Sequence, residues 1–72
     1  MFEEIKAPVT GLICQYHVSL GSDVKPNDII VGMESMKMEI AVACTTKGVV
    51  SYLAPLYELV EEGQVIARID QQ

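Results

Sequence analysis

The chain has 72 residues, of which half are hydrophobic and 21% are charged, and its formal net charge is -5. A chain of this length forms one small domain that buries only about 60% of its unfolded surface, which leaves no room for a cleft between domains. The acidic balance excludes nucleic acid as an expected partner, because phosphate binding needs a basic face. No apolar run approaches the roughly 20 residues of a membrane span.

Strands rather than helices are predicted along the chain, because Gly and Pro interrupt any helical period and the apolar residues alternate instead. A first strand is predicted over Glu3–Ala7, and Pro8 ends it. The strand that follows Gly11 is predicted to be half-buried. Its alternation predicts two faces, with Leu12, Cys14, Tyr16 and Val18 on one and Ile13, Gln15 and His17 on the other.

Two turn clusters come next, on either side of a very short strand at Val24. Asn27, in the second cluster, suits a left-handed backbone conformation. Four further strands are predicted over Ile29–Glu34, Glu39–Ala43, Gly48–Leu53 and Gln64–Asp70. Within the first of them, Gly32 is predicted to mark a bulge or a close backbone approach.

The two halves of the chain repeat each other. A displacement of 36 residues places Val24 on Val60, Asn27 on Gly63, Ile30 on Ile66 and Met33 on Ile69, and a displacement of 37 places Gly11 on Gly48. Neither copy is large enough to bury its own apolar face. Two copies packed sheet on sheet predict a flattened antiparallel β-sandwich or barrel with quasi-two-fold symmetry, a single domain over residues 1–72.

The connection between the two copies carries the candidate site. Lys37 lies between two methionines, Met36 and Met38, at the predicted tip of a β-hairpin. A lysine in a turn is usually only a solubilising charge. Its amine is a nucleophile only in the neutral form, and the nearby Glu34 and Glu39 favour the ammonium, so we expect no catalysis by this residue alone.

The stretch Glu34-Ser35-Met36-Lys37-Met38 resembles the acceptor motif of the biotinyl domain, the biotin carboxyl carrier module within the biotinyl/lipoyl attachment family. The family motif is commonly Glu-Ala-Met-Lys-Met, so Ser35 replaces the usual alanine. Ala7-Pro8 and Gly48 also match the family pattern, and the resemblance covers nearly all of the chain from Ala7 to Ile69. It implies two four-stranded antiparallel sheets, with the acceptor lysine on a tight exposed hairpin.

The resemblance also implies a function. Lys37 would receive covalent biotin from a biotin protein ligase and would carry carboxybiotin between the biotin carboxylase and carboxyltransferase sites of a larger complex, without catalysing either step. Met36 and Met38 would form an apolar collar that partners recognise, or would simply fill gaps in the packing. Glu34, Ser35 and Glu39 complete the hairpin, and the two glutamates would serve the ligase or keep the tip soluble.

Two other functions are possible for the same hairpin. The chain could be a lipoyl carrier or a dual biotin and lipoyl attachment protein, although lipoyl domains typically carry Asp-Lys-Ala at the acceptor. It could also be an unmodified adaptor domain that binds another protein. The acidic amino terminus lacks a secretory pattern, which predicts a cytoplasmic location, or an intracellular organelle if the chain is part of a larger eukaryotic enzyme.

The cysteines, the acidic residues and one loop carry three further predictions. Cys14 and Cys44 lack metal-ligand spacing and are predicted to be small buried hydrophobes rather than a disulfide. The Asp and Glu residues show no metal-loop pattern, so no metal site is predicted. The loop at Leu56-Tyr57-Glu58 is one residue shorter than its counterpart in the first copy, which predicts an altered loop.

Overall fold

The computed structural model describes residues 1–71, so Gln72, the last residue of the predicted domain, lies outside the described residues. All regular elements of residues 1–71 are β-strands, as the alternation of apolar residues predicted. In chain order they are β1 (Phe2–Lys6), β2 (Gly11–Tyr16), β3 (Asp23–Val24), β4 (Ile29–Ser35), β5 (Met38–Ala43), β6 (Gly48–Leu53), β7 (Leu59–Val60) and β8 (Val65–Gln71).

These strands form two four-stranded antiparallel sheets. Their orders are β1-β8-β6-β3 and β5-β4-β2-β7. Apolar side chains from both sheets meet in one core, in which Ile13, Ile30, Met33, Ile66 and Ile69 are among the fully buried residues. The described chain measures 35 × 18 × 18 Å, so the sandwich is elongated. The predicted all-β sandwich of two four-stranded sheets is confirmed.

The internal repeat extends to individual hydrogen bonds. The Ala7 amide donates to the Gln64 carbonyl at 2.8 Å, and the Cys44 amide donates to the Asp28 carbonyl at 3.0 Å. Asn27 and Gly63, which the repeat aligns, both adopt positive φ, at 76° and 89°. The two copies therefore share turn geometry as well as strand order, and the predicted quasi-two-fold relation holds at the level of the backbone.

The prediction for the faces of β2 was wrong at Leu12. Leu12 points outward while Ile13 is fully buried, and Tyr16 packs against the core from the same strand. The cause is a β-bulge, because the pairing with β4 shifts between Ile13 and Gln15 and leaves Cys14 as the extra residue. One extra residue reverses the faces of all the residues that follow it.

The bulge lies opposite Gly32, where the sequence predicted a bulge or a close backbone approach. The irregularity lies in β2, at Cys14, rather than in β4 at Gly32 itself. A Cβ atom on Gly32 would meet nothing nearer than 3.6 Å, so no close backbone approach requires glycine there. Cys14 donates its thiol to the Gly32 carbonyl at 3.3 Å, and the fully buried Cys44 donates to the Lys25 carbonyl at 3.0 Å.

Both cysteines are free thiols, but only Cys44 is buried as predicted, and Cys14 is half-buried. Burial raises the pKa of the Cys44 thiol, which keeps it in the unreactive neutral form. Among the described residues, no cluster of His, Cys, Asp and Glu could hold a metal ion. The same residues contain no helix that is long and apolar enough to cross a membrane.

The short loop between β6 and β7 keeps the hydrogen bonds of its longer counterpart. The Tyr57 amide donates to the Ile13 carbonyl at 2.6 Å, as the Gly21 amide donates to the Val50 carbonyl at 2.8 Å. Tyr57 therefore occupies the position of Gly21 and, like it, has positive φ, at 64° against 87°. The predicted change in this loop is a change in length and side chain, while its contacts with the sheet are retained.

Candidate functional site on the β4–β5 hairpin

A two-residue turn joins β4 to β5 at the centre of the chain. Ser35 pairs with Met38, so Met36 and Lys37 are the two central residues of the turn. Both have positive φ, at 51° and 66°, which is the requirement of a type I′ turn. Asn and Gly usually occupy such positions, and a larger side chain there costs about 1 kcal/mol or more per residue. The strand pairing on both sides holds this unfavourable backbone in place.

The turn presents its side chains to solvent. The exposed fraction is 92% for Met36 and 64% for Met38, and Lys37 is also exposed. The methionines therefore do not fill gaps in the core, which was one of their two predicted roles. The fully buried methionine of this strand is Met33, three residues before Met36.

The two glutamates of the motif face each other across the hairpin. Glu34 and Glu39 are directly paired in the register of β4 and β5, and both are exposed. Like charges directly opposite in an antiparallel pair destabilise it by roughly 0.2–1 kcal/mol. Nothing in the packing requires this pair, so its acidic charge is a candidate recognition feature.

A contact from a distant part of the chain supports the base of the hairpin. The Ser35 hydroxyl donates to the Thr10 carbonyl at 2.8 Å, and the Thr10 hydroxyl accepts a bond from the Glu62 amide at 3.0 Å. Gly11 lies so close to the Glu34 carbonyl oxygen that a Cβ atom at position 11 would overlap with it. No local pattern in the sequence indicates Thr10 or Glu62, because the bonded residues are 25 and 52 positions apart.

The site offers position and exposure but no activating group. Among residues 1–71 the Lys37 ammonium forms no ion pair. The salt bridge found in these residues joins Arg68 to Glu4. A surface opening of about 610 Å³ lies beside His17. His17 follows Tyr16, which pairs with Val31 near the start of β4, whereas the turn follows the other end of β4, so the opening does not adjoin Lys37. The geometry suits a lysine that another protein modifies.

The sequence family described as biotin-requiring enzyme, Biotin_lipoyl, matches residues 3–69. A curated relative, the biotinylated protein TB7.3 homolog of Mycobacterium leprae, is 33% identical over 70 residues, which are 96% of this chain and 99% of the relative. The chain belongs to the biotinyl-domain family. The predicted membership of this family is thereby confirmed.

Solved structures share the fold of this biotinyl domain. The urea carboxylase of Kluyveromyces lactis superposes with a TM-score of 0.90 and 28% identity, over 97% of this chain and 6% of the carboxylase. A single-chain, multi-domain long-chain acyl-CoA carboxylase gives a TM-score of 0.88 at 17% identity, over 99% of this chain and 7% of that protein. The chain thus corresponds to a small part of each of these carboxylases.

A lipoyl domain is similar over nearly its whole length. The lipoyl domain of the 2-oxoglutarate dehydrogenase complex from Azotobacter vinelandii has a TM-score of 0.77 and 24% identity, over 94% of this chain and 95% of that domain. At this level of identity the similarity concerns the fold. The fold is therefore common to proteins named for biotin and for lipoate.

Proposed function

We propose that the chain is a biotin carboxyl carrier whose Lys37 is biotinylated by a biotin protein ligase. The observation that carries this proposal is the exposed two-residue turn with Lys37 at its centre and a methionine on each side. The 33% identity with a biotinylated protein over nearly the full length of both chains supports the choice of biotin. The chain itself would be non-catalytic, a domain or subunit of a biotin-dependent carboxylase or decarboxylase.

The attachment chemistry needs a donor activated elsewhere. The neutral ε-amine of Lys37 would attack the carbonyl carbon of biotinyl-adenylate, the C–N bond would form as the C–O bond to AMP breaks, and the amine would lose one proton. The ligase supplies the activated ester and accepts the proton, because Lys37 forms no ion pair within residues 1–71. The turn fixes the Cα atom and directs the side chain outward.

The carrier role follows from tethering. Attached biotin supplies a ureido nitrogen that accepts a carboxyl group at a biotin carboxylase site and releases it at a carboxyltransferase site. A tether raises the effective concentration of the group at each site without tight binding. The net charge of -5 would become -6 when Lys37 is acylated, so docking on the partners should be salt-sensitive.

Substitution of Lys37 tests the proposal directly. We expect the wild-type chain to incorporate one biotin when it is incubated with a biotin protein ligase, ATP and biotin, and we expect none in Lys37→Ala. The matched control is Lys47→Ala, since Lys47 is also an exposed lysine and lies outside the hairpin. Intact-mass spectrometry measures the result. Equal incorporation into wild type and Lys37→Ala would refute the assignment, and no incorporation into wild type would favour an unmodified adaptor.

Lipoate is the second candidate, because a lipoyl domain superposes over 95% of its own length. Mass spectrometry of the chain purified from its native host separates the two groups. A lipoyl adduct on Lys37 would replace biotin in the proposal, and adducts of both kinds would indicate a dual attachment protein. The flanking methionines favour biotin.

Met36 provides a test of the collar. Met36→Ala is expected to slow biotin incorporation while changing the free energy of unfolding by less than about 0.5 kcal/mol, because the side chain is almost fully exposed. Met33→Ala is the matched control. Because Met33 is fully buried, this variant should lower the free energy of unfolding by about 2–5 kcal/mol. Initial incorporation rates and urea unfolding measure both effects. An unchanged rate in Met36→Ala would remove the collar from the recognition surface.

A further inference from the structure

Four exposed residues form a row across the outer face of the sheet β5-β4-β2-β7, just before the Lys37 turn. The register pairs Leu59 with Leu12, Leu12 with Glu34 and Glu34 with Glu39, so the row crosses all four strands. The exposed fraction is 65% for Leu59 and 36% for Leu12. We call these four residues the docking row. It consists of two adjacent leucines followed by two adjacent glutamates.

The internal repeat supplies a control for this row within the same molecule. The equivalent row on the sheet β1-β8-β6-β3 is Asp23, Val49, Asp70 and Phe2, with the same register. There apolar and acidic residues alternate, so no acid faces an acid and no two apolar side chains are adjacent. The guanidinium of Arg68 also covers the Phe2 ring at 4.7 Å. The fold therefore does not require the segregated arrangement that accompanies Lys37.

Several features of the docking row reduce stability or solubility. Glu34 and Glu39 repel each other across the hairpin, and the two leucines leave apolar surface in water. Beside Leu59, Tyr57 keeps positive φ where its counterpart is Gly21, and its side chain is 73% exposed. Unfavourable backbone conformations in proteins cluster at functional sites. Their coincidence near the hairpin indicates a surface kept for binding.

The charge around the row indicates what binds. Glu34, Glu39 and Glu58 are exposed in or next to the row, and Glu62 lies at the Thr10 contact that supports the hairpin. The cation within the turn is Lys37, and its charge is lost when the amine is acylated. Complementarity with a basic surface therefore increases after modification. This favours a partner that meets the modified chain over the ligase, which meets it before.

We propose that the docking row is the surface by which the modified chain binds its biotin carboxylase, through an apolar patch bordered by Lys and Arg on that enzyme. The proposal rests on the proposed function, since it assumes that biotin is attached to Lys37. Leu12 and Leu59 supply the apolar centre, and Tyr57 extends it. Glu34 and Glu39 supply the charge that orients the encounter.

The test uses the biotinylated full chain as substrate of the biotin carboxylase from the native host, with bicarbonate and ATP, and follows ADP release. Leu59→Thr is expected to raise the KM for the carrier about tenfold with kcat unchanged, because it removes an exposed leucine that the proposed complex would bury. Val49→Thr, at the equivalent position of Leu12 on the other sheet, is the matched control and should leave KM unchanged. Glu39→Gln should weaken the dependence of KM on salt.

The outcomes separate the two proposals. If wild type takes up no biotin, both fail. If wild type is biotinylated but Leu59→Thr keeps the wild-type KM, the docking row is wrong and the carrier function stands. If Leu59→Thr slows incorporation by the ligase and leaves the carboxylase KM unchanged, the row serves the ligase instead, which overturns the proposed partner. The activity of the biotin carboxylase toward free biotin must be constant across the assays, and the urea midpoint of each carrier variant must remain that of wild type. The proposal is also contradicted if the KM rises together with a change in either control, or if Val49→Thr raises the KM as much as Leu59→Thr does.

Discussion

Exchanging the two central residues of the turn, as Met36→Lys with Lys37→Met, is expected to lower the rate of biotin incorporation by about 100-fold or more, because a reacting group displaced by an ångström or more loses this much. Adjacent residues of a hairpin direct their side chains differently. In the exchanged protein the lysine side chain would therefore leave the turn in another direction, although the lysine has moved by only one position in the sequence.

The exchange is its own control for composition. Net charge and residue content are the same as in wild type, both positions are exposed, and both already have positive φ. We therefore expect the urea midpoint to change little. Initial rates with a biotin protein ligase, followed by intact-mass spectrometry, measure the effect. Incorporation at the wild-type rate would mean that the ligase accepts any exposed lysine near the tip, and the geometric argument would then be wrong.

Gly48→Ala is expected to destabilise the domain by about 3 kcal/mol or more. A Cβ atom at position 48 would overlap with the Asp70 carbonyl oxygen and lie 2.8 Å from the Ile69 side chain. The obstruction is backbone of the paired strand β8, which cannot move without breaking the ladder. Since a small domain has a total stability on the order of 5 kcal/mol, most of it would be lost.

Two other glycines make the experiment specific. Gly32→Ala places its Cβ no nearer than 3.6 Å to any neighbour and should leave the free energy of unfolding almost unchanged. Gly21→Ala meets nothing within 4 Å but must adopt φ near 87°, so its loss should be about 1 kcal/mol. Urea unfolding curves should rank the three variants with Gly48→Ala as the least stable. Equal losses at positions 48 and 32 would contradict the close approach.

The same steric requirement connects the fold to the site. Gly11, which the repeat aligns with Gly48, allows β2 to approach the Glu34 carbonyl at the base of the hairpin. Ser35 then reaches the Thr10 carbonyl, and the Glu62 amide closes the set of contacts at Thr10. The base of the hairpin that carries Lys37 thus contacts the adjacent residues Thr10 and Gly11, and Thr10 in turn is bonded to Glu62. This attachment allows Met36 and Lys37 to keep a backbone conformation that neither residue prefers.

The sequence by itself determined the repeat, the candidate residue and seven of the eight strands of residues 1–71, and it missed the two-residue strand β7. Alternation of apolar residues placed β6 at its observed bounds, and a lysine between two methionines at the end of one copy identified Lys37. These features depend on neighbours a few residues apart, which any reader of the sequence can compare. The left-handed conformation at Asn27 was equally local, because the side chain itself tolerates positive φ.

Only the tertiary structure decided which faces and which distant contacts complete the site. The bulge at Cys14 placed Leu12 and Tyr16 on opposite faces of β2, and register with β4 and β7 placed Leu12 between Glu34 and Leu59. Tyr57 accepted the backbone conformation of a glycine because its amide is bonded to β2. Each of these depends on a partner strand far along the chain. The register between strands depends on packing contacts throughout the sandwich, so a local sequence pattern cannot predict it.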